Sequence, residues 1–265
     1  MPTVDPNDIE IYYEERGRGD PALLLMGLGA DGALAAEHVG AYQDHFRCIV
    51  VDARGTGRSA KPDGPYSVPM MARDTAAVID ALRLPPAHVL GISLGGCIAQ
   101  ELALTRPEQV RSLTLVSSFA KADAYTARVV AALEGAARRL PSTDFIRLMQ
   151  LWLFSPAYHE NHMDDLLRRE AQAKAHRYPT PLHALLAQCE ACLAHDTLDR
   201  LGAVRAPTLV TAGDADAITP VHCAQKLVHE IPNAHLTVFA GAGHCHHWER
   251  LDEFNAKTVA FMKAH

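Results

Sequence analysis

The sequence predicts an α/β fold, in which a mostly parallel, doubly wound sheet is interrupted by an inserted helical cap. Three observations lead to this prediction. Short, solid apolar segments such as 22–26 and 48–51 are typical of strands buried on both faces of a parallel sheet. Amphipathic segments of helical length alternate with them. Between about Phe119 and Leu201 this alternation stops, and the chain is rich in Ala, Leu, Arg and His at helical spacing.

Two kinds of segment make up the predicted core. Strands are predicted where apolar residues are contiguous or alternate with polar ones, at 9–14, 22–26, 48–51, 88–92, 111–116, 208–212 and 236–239. Helices are predicted where the pattern has helical length and polarity between breaks, at 34–46, 70–84, 95–105, 221–230 and 251–264. Strands and helices in alternation favour parallel pairing with helices on both faces of the sheet.

The insert is the main departure from this alternation. Its prolines divide it into about four helices, at Pro141, Pro156, Pro179 and Pro181. We therefore predict a core of residues 1–118 and 203–265 and a cap of residues 119–202. The cap follows a strand, on the side where ligands bind in open α/β sheets, and this position is that of a lid.

Composition limits the classes of partner. The chain has 265 residues and a formal net charge of −6, which favours neither nucleic acid nor an anionic membrane. No apolar run approaches the length of about 18 residues needed for a transmembrane helix, and the first 20 residues lack a signal-peptide pattern. The six cysteines are irregularly spaced, so no disulfide framework is expected. We expect a cytoplasmic protein with an uncharged small-molecule substrate, and a homodimer is left open.

The pentapeptide Gly91-Ile92-Ser93-Leu94-Gly95 lies between a predicted strand and a predicted helix. A serine in this context occupies a sharp, strained turn, and larger side chains in place of the glycines would collide as the helix leaves the strand. The turn raises the hydroxyl above the sheet edge, and the helix N-terminus favours developing negative charge there. The pattern therefore indicates a nucleophilic serine.

A serine hydroxyl needs a base within hydrogen-bond reach, and the base needs a group that orients it. Both residue types follow later predicted strands. Asp214 and Asp216 follow strand 208–212, and His244 follows strand 236–239. Because the loops at the carboxyl ends of parallel strands meet at one edge of the sheet, one of these aspartates and the histidine are candidates for the same site as the serine.

Four features together resemble the α/β-hydrolase family over nearly the whole chain. They are the elbow Gly91-Ile92-Ser93-Leu94-Gly95-Gly96, the Asp216 loop ending in Pro220, the Gly243-His244 loop, and Asp52-Ala53-Arg54-Gly55-Thr56-Gly57-Arg58-Ser59 after an early strand. Within the family the chain is most similar to the branch of serine esterases, lactonases and cofactor-free haloperoxidases, and to polyketide methyl esterases. The resemblance implies the α/β-hydrolase fold with a helical cap.

It also implies a role for each residue of a catalytic triad. Ser93 is the nucleophile, His244 the general base and acid, and Asp216 the residue that orients the imidazole. The family loop usually places its acid four residues before the proline, here Pro220. This position selects Asp216, and Asp214 is then a solvated or turn residue.

The resemblance further implies a backbone oxyanion hole. One N–H donor comes from the residue after the nucleophile, Leu94, and the other from Leu28 in the loop after an early strand. Many relatives have a histidine where Met26 stands in this chain. Methionine there is compatible with the polyketide methyl-esterase-like branch, and it is also what the last buried residue of a strand would be.

The histidines beside His244 raise the alternative of a metal site. His246 and His247 are expected at the start of the last helix, as surface or capping residues. With Cys245 and His244 they could supply ligands, but no separated ligand pair of zinc-site spacing completes the set. No metal ion is expected. The Arg54 loop lacks the ending of a phosphate-binding loop, and no organic cofactor is expected either.

Several other side chains have competing interpretations. Asp123 is a second rival for the triad acid, because some family members place the acid after the earlier strand. Cys189 and Cys192 form a C-x-x-C inside a predicted cap helix and are interpreted as buried helix residues. Trp152 and Phe154 are candidates for substrate binding, although aromatic residues of a cap can equally form its own core.

The resulting hypothesis is a serine hydrolase that cleaves a carboxylic ester or lactone through an acyl-enzyme. Three alternatives use the same triad: an enol-lactonase, a C–C bond hydrolase, and a cofactor-free haloperoxidase or perhydrolase. A ligand receptor built on the same fold is the alternative outside enzymes. The natural substrate and the oligomeric state are left open.

Overall fold

A single sheet of eight strands runs through the centre of the molecule in the computed structural model, which describes residues 3–4 and 9–265. The strands are β1 (Thr3–Val4), β2 (Ile11–Arg16), β3 (Pro21–Leu25), β4 (Arg47–Val51), β5 (Ala87–Ile92), β6 (Val110–Val116), β7 (Thr208–Gly213) and β8 (Ala234–Phe239). Their spatial order is β1-β2-β4-β3-β5-β6-β7-β8, in which the first two neighbouring pairs are antiparallel and the rest are parallel.

Helices cover both faces of the sheet. Those of the core are α1 (Ala36–Tyr42), α2 (Val68–Ala81), α3 (Leu94–Thr105), α9 (Val221–Glu230), α10 (His246–Glu249) and α11 (Leu251–Ala264). The first apolar core holds residues of α2, α3 and α9, and the second holds residues of α1 and α11. The predicted fold class, a mostly parallel sheet wound on both sides, is confirmed.

Strand β3 explains why its sequence is solidly apolar. Leu23 and Leu25 belong to the first core, whereas Ala22 and Leu24 belong to the second. Successive side chains of a strand point to opposite faces, so a strand with helices on both sides needs apolar residues at every position. All five residues of β3 are buried.

The predicted insert is a run of five helices between β6 and β7, one more than expected. They are α4 (Ala124–Ala137), α5 (Ser142–Leu153), α6 (Pro156–Asn161), α7 (Met163–Lys174) and α8 (Leu182–Ala194). The chain enters and leaves side by side: Thr197 N–H donates to Ala120 O at 2.9 Å. Strands β6 and β7 are nevertheless direct parallel neighbours, with Leu113 opposite Thr208. We call residues 119–202 the insert; its status as a separate cap stays a prediction.

The remaining differences from the sequence prediction are local. Strand β1 was not expected, and the helix predicted over 34–46 begins as a 3-10 turn, Gly32–Ala35, and ends at Tyr42. His246 and His247 lie in the short helix α10, not at the start of the last helix. Across residues 3–4 and 9–265, every helix falls short of the length and apolarity that a bilayer crossing demands.

Candidate active site

Ser93 occupies the turn between β5 and α3 with φ of 53° and ψ of −114°. This is a strained conformation for a residue with a side chain. The flanking glycines are required because a Cβ on Gly91 would lie 2.2 Å from Gly95 O, and one on Gly95 would lie 2.2 Å from Leu25 O. Ser118 Oγ donates to the Ser93 carbonyl at 2.9 Å and holds the turn from the neighbouring strand end. The sequence pattern therefore folds as the predicted sharp elbow.

Asp216 lies in the loop after β7, with its carboxylate buried and fully hydrogen-bonded. Oδ1 accepts from the backbone N–H groups of Ile218 and Thr219 at 2.8 and 2.9 Å. Oδ2 accepts from Thr219 Oγ1 at 2.8 Å and pairs with His244 Nδ1 at 2.9 Å. Burial by itself would raise the pKa of Asp216, but His244 and the backbone donors outweigh it and lower the pKa. Asp216 is therefore an ionised partner for the imidazole.

His244 lies in the loop after β8 and is 4% exposed. Its ring is held on the Nδ1 side by Asp216, and its main-chain carbonyl accepts from Ser117 Oγ at 2.7 Å. Ser117 follows β6, the strand beside the one that carries Ser93. The structure thus brings Ser93, Asp216 and His244 to one edge of the sheet. Ser93 Oγ makes no direct hydrogen bond to the His244 ring, whose contacts run to Asp216 Oδ2 and Thr219 Oγ1.

The two rival aspartates have other partners. Asp214 is exposed and accepts a hydrogen bond from Gly241 N at 2.6 Å, which closes a turn at the surface. Asp123 is the N-cap of α4, where it accepts from Thr126 N at 2.8 Å, and it pairs with His222 at 2.7 Å. Only Asp216 of the three contacts the His244 ring.

The loop after β3 packs against the elbow. A Cβ on Gly27 would lie 3.3 Å from Ser93 Cβ, so the loop runs close to the nucleophile. Ala30 N–H donates to Gly27 O at 3.1 Å and closes a turn around Leu28. Leu94 is the first residue of α3, and an N–H at this position has no acceptor within its helix. The turn that carries Leu28 therefore packs against Ser93, and the N–H of Leu94 follows Ser93 directly in the chain.

Met26 is buried at 4% exposure directly after β3 and packs in the second core with Ile92 and Val116. Met26 therefore continues the buried run of β3 by one residue, which agrees with its interpretation as a buried strand-end residue.

The buried surroundings of His244 contain two further histidines. His246 pairs with Ser117 Oγ at 3.1 Å and with Thr211 Oγ1 at 2.9 Å. His247 Nδ1 pairs with His38 Nε2 at 2.9 Å. Both are at most 1% exposed, so the expectation of surface or capping histidines was wrong. Hydrogen-bond partners on other elements, which the local sequence does not reveal, make their burial tolerable.

One set of potential metal ligands occurs among the described residues: Asp123, His222 and Cys223, with ligand atoms within 4.8 Å of one another. Asp123 already caps α4 and pairs with His222, which accounts for the arrangement. Cys189 and Cys192 are buried in α8 as predicted, and burial raises the pKa of the Cys189 thiol to about 12.

An apolar cluster joins the insert to both sides of the site. It contains Leu28 of the Gly27–Ala30 turn, Ile218 of the Asp216 loop, and five residues of α4 and α5: Val129, Leu133, Met149, Trp152 and Leu153. Trp152, a predicted substrate-binding residue, is thus half-buried beside both loops. Phe154 is 4% exposed in a different cluster, stacked on Tyr158 and Trp248. Its predicted role in binding stays a prediction.

Three polar residues around the site were missed by sequence reasoning. Thr219 binds the Asp216 carboxylate through both its N–H and its hydroxyl. Glu249 of α10 accepts from Gly243 N in the His244 loop at 3.0 Å. Gln188 of α8 accepts from Gly29 N at 2.8 Å. Only Thr219 had a sequence signal, its place three residues after the acid in the same loop.

Comparisons with known proteins place the chain among hydrolases. The family model described as alpha/beta hydrolase fold matches residues 21–251. A protein of Azorhizobium caulinodans named "Putative carbamate hydrolase RutD" is 34% identical over 261 residues, with 98% of each chain covered. The solved structure of Est816, titled an N-acyl homoserine lactone degrading enzyme, is 30% identical with a TM-score of 0.86, covering 98% of this chain and 100% of that one. MGS-M2, an alpha/beta hydrolase from a deep-sea metagenome library, shares the fold at a TM-score of 0.92 and 20% identity, covering 99% and 97%.

Proposed function

The chain belongs to the α/β-hydrolase family and is a hydrolase, and from this premise we propose that it cleaves a carboxylic ester or lactone through an acyl-enzyme on Ser93. The observation that carries the proposal is the His244–Asp216 pair, at 2.9 Å, held at the same sheet edge as the Ser93 elbow. A serine hydroxyl, an imidazole and a buried carboxylate are the parts of a nucleophilic triad.

In the proposed acylation step, His244 Nε2 takes the Ser93 hydroxyl proton as Oγ attacks the substrate carbonyl carbon. The carbonyl π electrons move to oxygen, and the oxyanion is stabilised by the N–H groups of Leu28 and Leu94. When the tetrahedral intermediate collapses, the C–O bond to the leaving group breaks. His244 then returns its proton to the leaving alkoxide, and an acyl-Ser93 ester is left.

In the deacylation step, water repeats the attack with His244 as base, releasing the carboxylic acid and restoring Ser93. Asp216 fixes the tautomer that carries the proton on His244 Nδ1 and stabilises the imidazolium that forms in each half-reaction. The hydrogen bonds from Ile218 and Thr219 support this assignment, because they keep the carboxylate ionised and oriented away from solvent.

The apolar cluster of Leu28, Ile218 and Trp152 with α4 and α5 supports an uncharged substrate. Its members come from the proposed oxyanion loop, the loop of the triad acid and the insert, and we place the acyl or alcohol group of the substrate beside them. Burying an apolar group against such a lining is favourable by about 25 cal/mol per Å² of apolar surface, whereas an unpaired charge there is costly.

Carbamate hydrolysis is a second candidate, favoured by the 34% identity to the protein of Azorhizobium caulinodans named for it. The same triad can attack a carbamate carbonyl, which differs from an ester in bearing nitrogen on the carbonyl carbon. We expect an ester to be the better substrate, because the nitrogen lone pair of a neutral carbamate makes its carbonyl carbon less electrophilic, and because the apolar cluster beside the site disfavours a carbamate anion.

The decisive experiment compares p-nitrophenyl acetate, butyrate and N-methylcarbamate as substrates of the wild type and of Ser93→Ala. The leaving group is the same in all three, so the rates compare the acyl groups alone. We expect ester turnover that exceeds carbamate turnover and that falls by at least about 10³-fold in Ser93→Ala. A wild type inactive on every activated ester would overturn the proposal, and faster carbamate turnover would favour the second candidate.

Substrates of other classes separate the remaining alternatives. A lactone panel, a β-diketone-type C–C substrate and a perhydrolysis assay with acetate and peroxide test the reactions that use the same triad. Labelling of Ser93 by a fluorophosphonate, lost in His244→Ala, distinguishes an active hydrolase from a ligand receptor that retains the fold.

A further inference from the structure

The turn that carries Leu28 is held from outside by the insert. Gly29, the residue after Leu28, has φ of 69°. Its N–H donates to Gln188 Oε1 at 2.8 Å, and its carbonyl accepts from Thr180 Oγ1 at 3.0 Å. Both main-chain groups of Gly29 are therefore bound by side chains of the insert, about 150 residues away in sequence.

Gln188 is well suited to fix this turn, because it is 0% exposed and both ends of its amide are used. While Oε1 accepts from Gly29, Nε2 donates to Arg54 O at 3.0 Å. One partner is a donor and the other an acceptor, so only one orientation of the amide satisfies both. Gln188 thus links α8, the Gly29 turn and the loop after β4.

The Arg54 end of this link is itself immobilised. The Arg54 guanidinium makes two hydrogen bonds to Asp74, at 2.6 and 2.7 Å, and both side chains are buried. A bidentate pair of this kind restricts both groups in geometry. Gln188 therefore positions Gly29 against a rigid reference point of the core.

The Gly29 N–H belongs to the same peptide plane as the Leu28 carbonyl, so a hydrogen bond at Gly29 N restricts rotation about the Leu28 Cα–C bond. The Leu28 N–H lies on the other side of that Cα. An oxyanion donor acts only when it is already placed about 2.7–3.1 Å from the position of the developing charge. Holding Gly29 thus limits how far the Leu28 donor can turn away.

We propose that Gln188 is a positioning residue for the oxyanion hole, by which α8 of the insert sets the orientation of the Leu28 N–H. This inference rests on the proposed serine-hydrolase function. It makes the docked insert a requirement of the chemical step as well as a wall of the substrate site.

The test replaces Gln188 by methionine, which has similar length but offers neither the amide donor nor its carbonyl acceptor. We expect kcat for p-nitrophenyl butyrate to fall by about 10-fold with KM within about 2-fold, because the loss is confined to the transition state. The rate of fluorophosphonate labelling at Ser93 should fall in parallel. Thr180→Val, which removes the donor to the Gly29 carbonyl, should lower kcat in the same direction by a smaller factor.

Thr197→Val is the matched control. Thr197 is buried at 1% exposure, and its Oγ1 contacts Gln100 Oε1 of the core at 2.7 Å and Ala120 O, at the start of the insert, at 3.1 Å. These lie at the base of the insert, away from the Gly29 turn. Thr197→Val should lose stability yet retain wild-type kcat. An equal fall of kcat in the control, or an unchanged kcat in Gln188→Met, would overturn the proposal.

Amide hydrogen exchange at Gly29 separates this inference from the proposed function. Gln188→Met should accelerate exchange at Gly29 by at least about 10-fold relative to amides in β5, whether or not any ester is turned over, because exchange reports local opening. Unchanged exchange would overturn the role of Gln188. Absent ester turnover in the wild type would instead overturn the proposed function. Should Gln188→Met fail to fold, Gln188→Glu takes its place: it loses the donor to Arg54 O, and Gly29 exchange and kcat equal to those of the wild type would overturn the proposal.

Discussion

Glu249 and Ser155 are joined by two hydrogen bonds, from Ser155 N to Oε1 at 2.8 Å and from Ser155 Oγ to Oε2 at 2.6 Å. Glu249 Oε1 also accepts from Gly243 N, directly before His244. One carboxylate of α10 therefore binds the insert and the loop of the proposed base together. Tyr125 of α4 adds a similar link to the acid loop, donating to Ala217 O at 2.7 Å.

Replacing Glu249 by glutamine should weaken this junction. The three donors that face the carboxylate would meet an amide that can accept on one side only, and a lost hydrogen bond to a charged group costs about 1.5–3 kcal/mol. We expect the free energy of unfolding in urea to fall by about 2 kcal/mol. Glu253→Gln is the control, since Glu253 is a surface residue paired with Arg250, and it should change stability by less than about 0.5 kcal/mol. Equal losses of unfolding free energy in the two variants would show that the hydrogen bonds of Glu249 to Ser155 and Gly243 do not stabilise the fold.

Thr219 should matter for the rate through Asp216. Thr219→Val removes the hydroxyl that donates to Asp216 Oδ2 and leaves the backbone donors in place. We expect kcat to fall by about 10-fold, equivalent to about 1.4 kcal/mol, because the carboxylate loses one of the bonds that orient it. Thr219→Ser retains the hydroxyl and should keep most of the activity. The measurement is kcat of the two variants. A Thr219→Val variant as fast as Thr219→Ser would show that the Thr219 hydroxyl does not orient Asp216 for catalysis.

Alanine in place of Gly95, in the elbow, and of Gly40, in α1, should have opposite effects on stability. In Gly95→Ala the new Cβ would lie 2.2 Å from Leu25 O, a backbone atom that cannot move without shifting β3. We expect a loss at or above the upper end of the range of about 1–3 kcal/mol for overpacking. Gly40 lies in α1, where an added Cβ would meet nothing within 4 Å, so Gly40→Ala should stabilise the helix by up to about 1 kcal/mol. Thermal unfolding of both variants measures the contrast, and similar melting temperatures would count against it.

Buried histidines should make the fold sensitive to mild acid. Burial lowers the pKa of His38 and of His195 to about 4 and that of His246 to about 3. The unfolded chain takes up these protons near pH 6.5, whereas the folded chain does not until near pH 4 or below. Stability is therefore fully present above pH 6.5 and falls as the pH drops, by about 1 kcal/mol per pH unit for each histidine.

His195 offers the cleanest check of this dependence. Its Nδ1 has no hydrogen-bond partner within residues 3–4 and 9–265, and its Nε2 makes one long contact, 3.4 Å, to Thr197 Oγ1. The slope of unfolding free energy against pH is measured in urea between pH 6 and 5. In His195→Leu it should be smaller than in the wild type by an amount that corresponds to about one fewer proton taken up on unfolding. A slope equal to that of the wild type would show that His195 titrates normally in the folded chain. Asp216, whose pKa is lowered, contributes to acid sensitivity only at still lower pH.

The sequence predicts the fold and the sharp turn at Ser93 well because their signals are local. The elbow depends on glycines within two residues of Ser93, and β3 shows its double burial in five consecutive apolar residues. The choice of Asp216 over Asp214 came from the family loop, and the contact with His244 agrees with it.

What the sequence does not predict depends on contacts between distant segments. Gln188 binds Gly29 across 159 positions, and Ser155 binds Glu249 across 94. No spacing rule connects such pairs. His246 and His247 are polar residues whose burial is compensated by partners directly after β6, on β7 and on α1, so their environment could not be derived from the residues beside them.

The position of the insert between β6 and β7 has a consequence for how a ribosome-bound chain can mature. Strand β7 adds to the edge of β6, yet the whole insert must be synthesised before β7 leaves the ribosome. Until then β6 is an open edge, and exposed edges are sites of aggregation. Ser93 is synthesised before the insert, whereas Asp216 and His244 are synthesised after it. A nascent chain therefore acquires its nucleophile early and its reactivity last, and truncated translation products should be inert but prone to associate through β6.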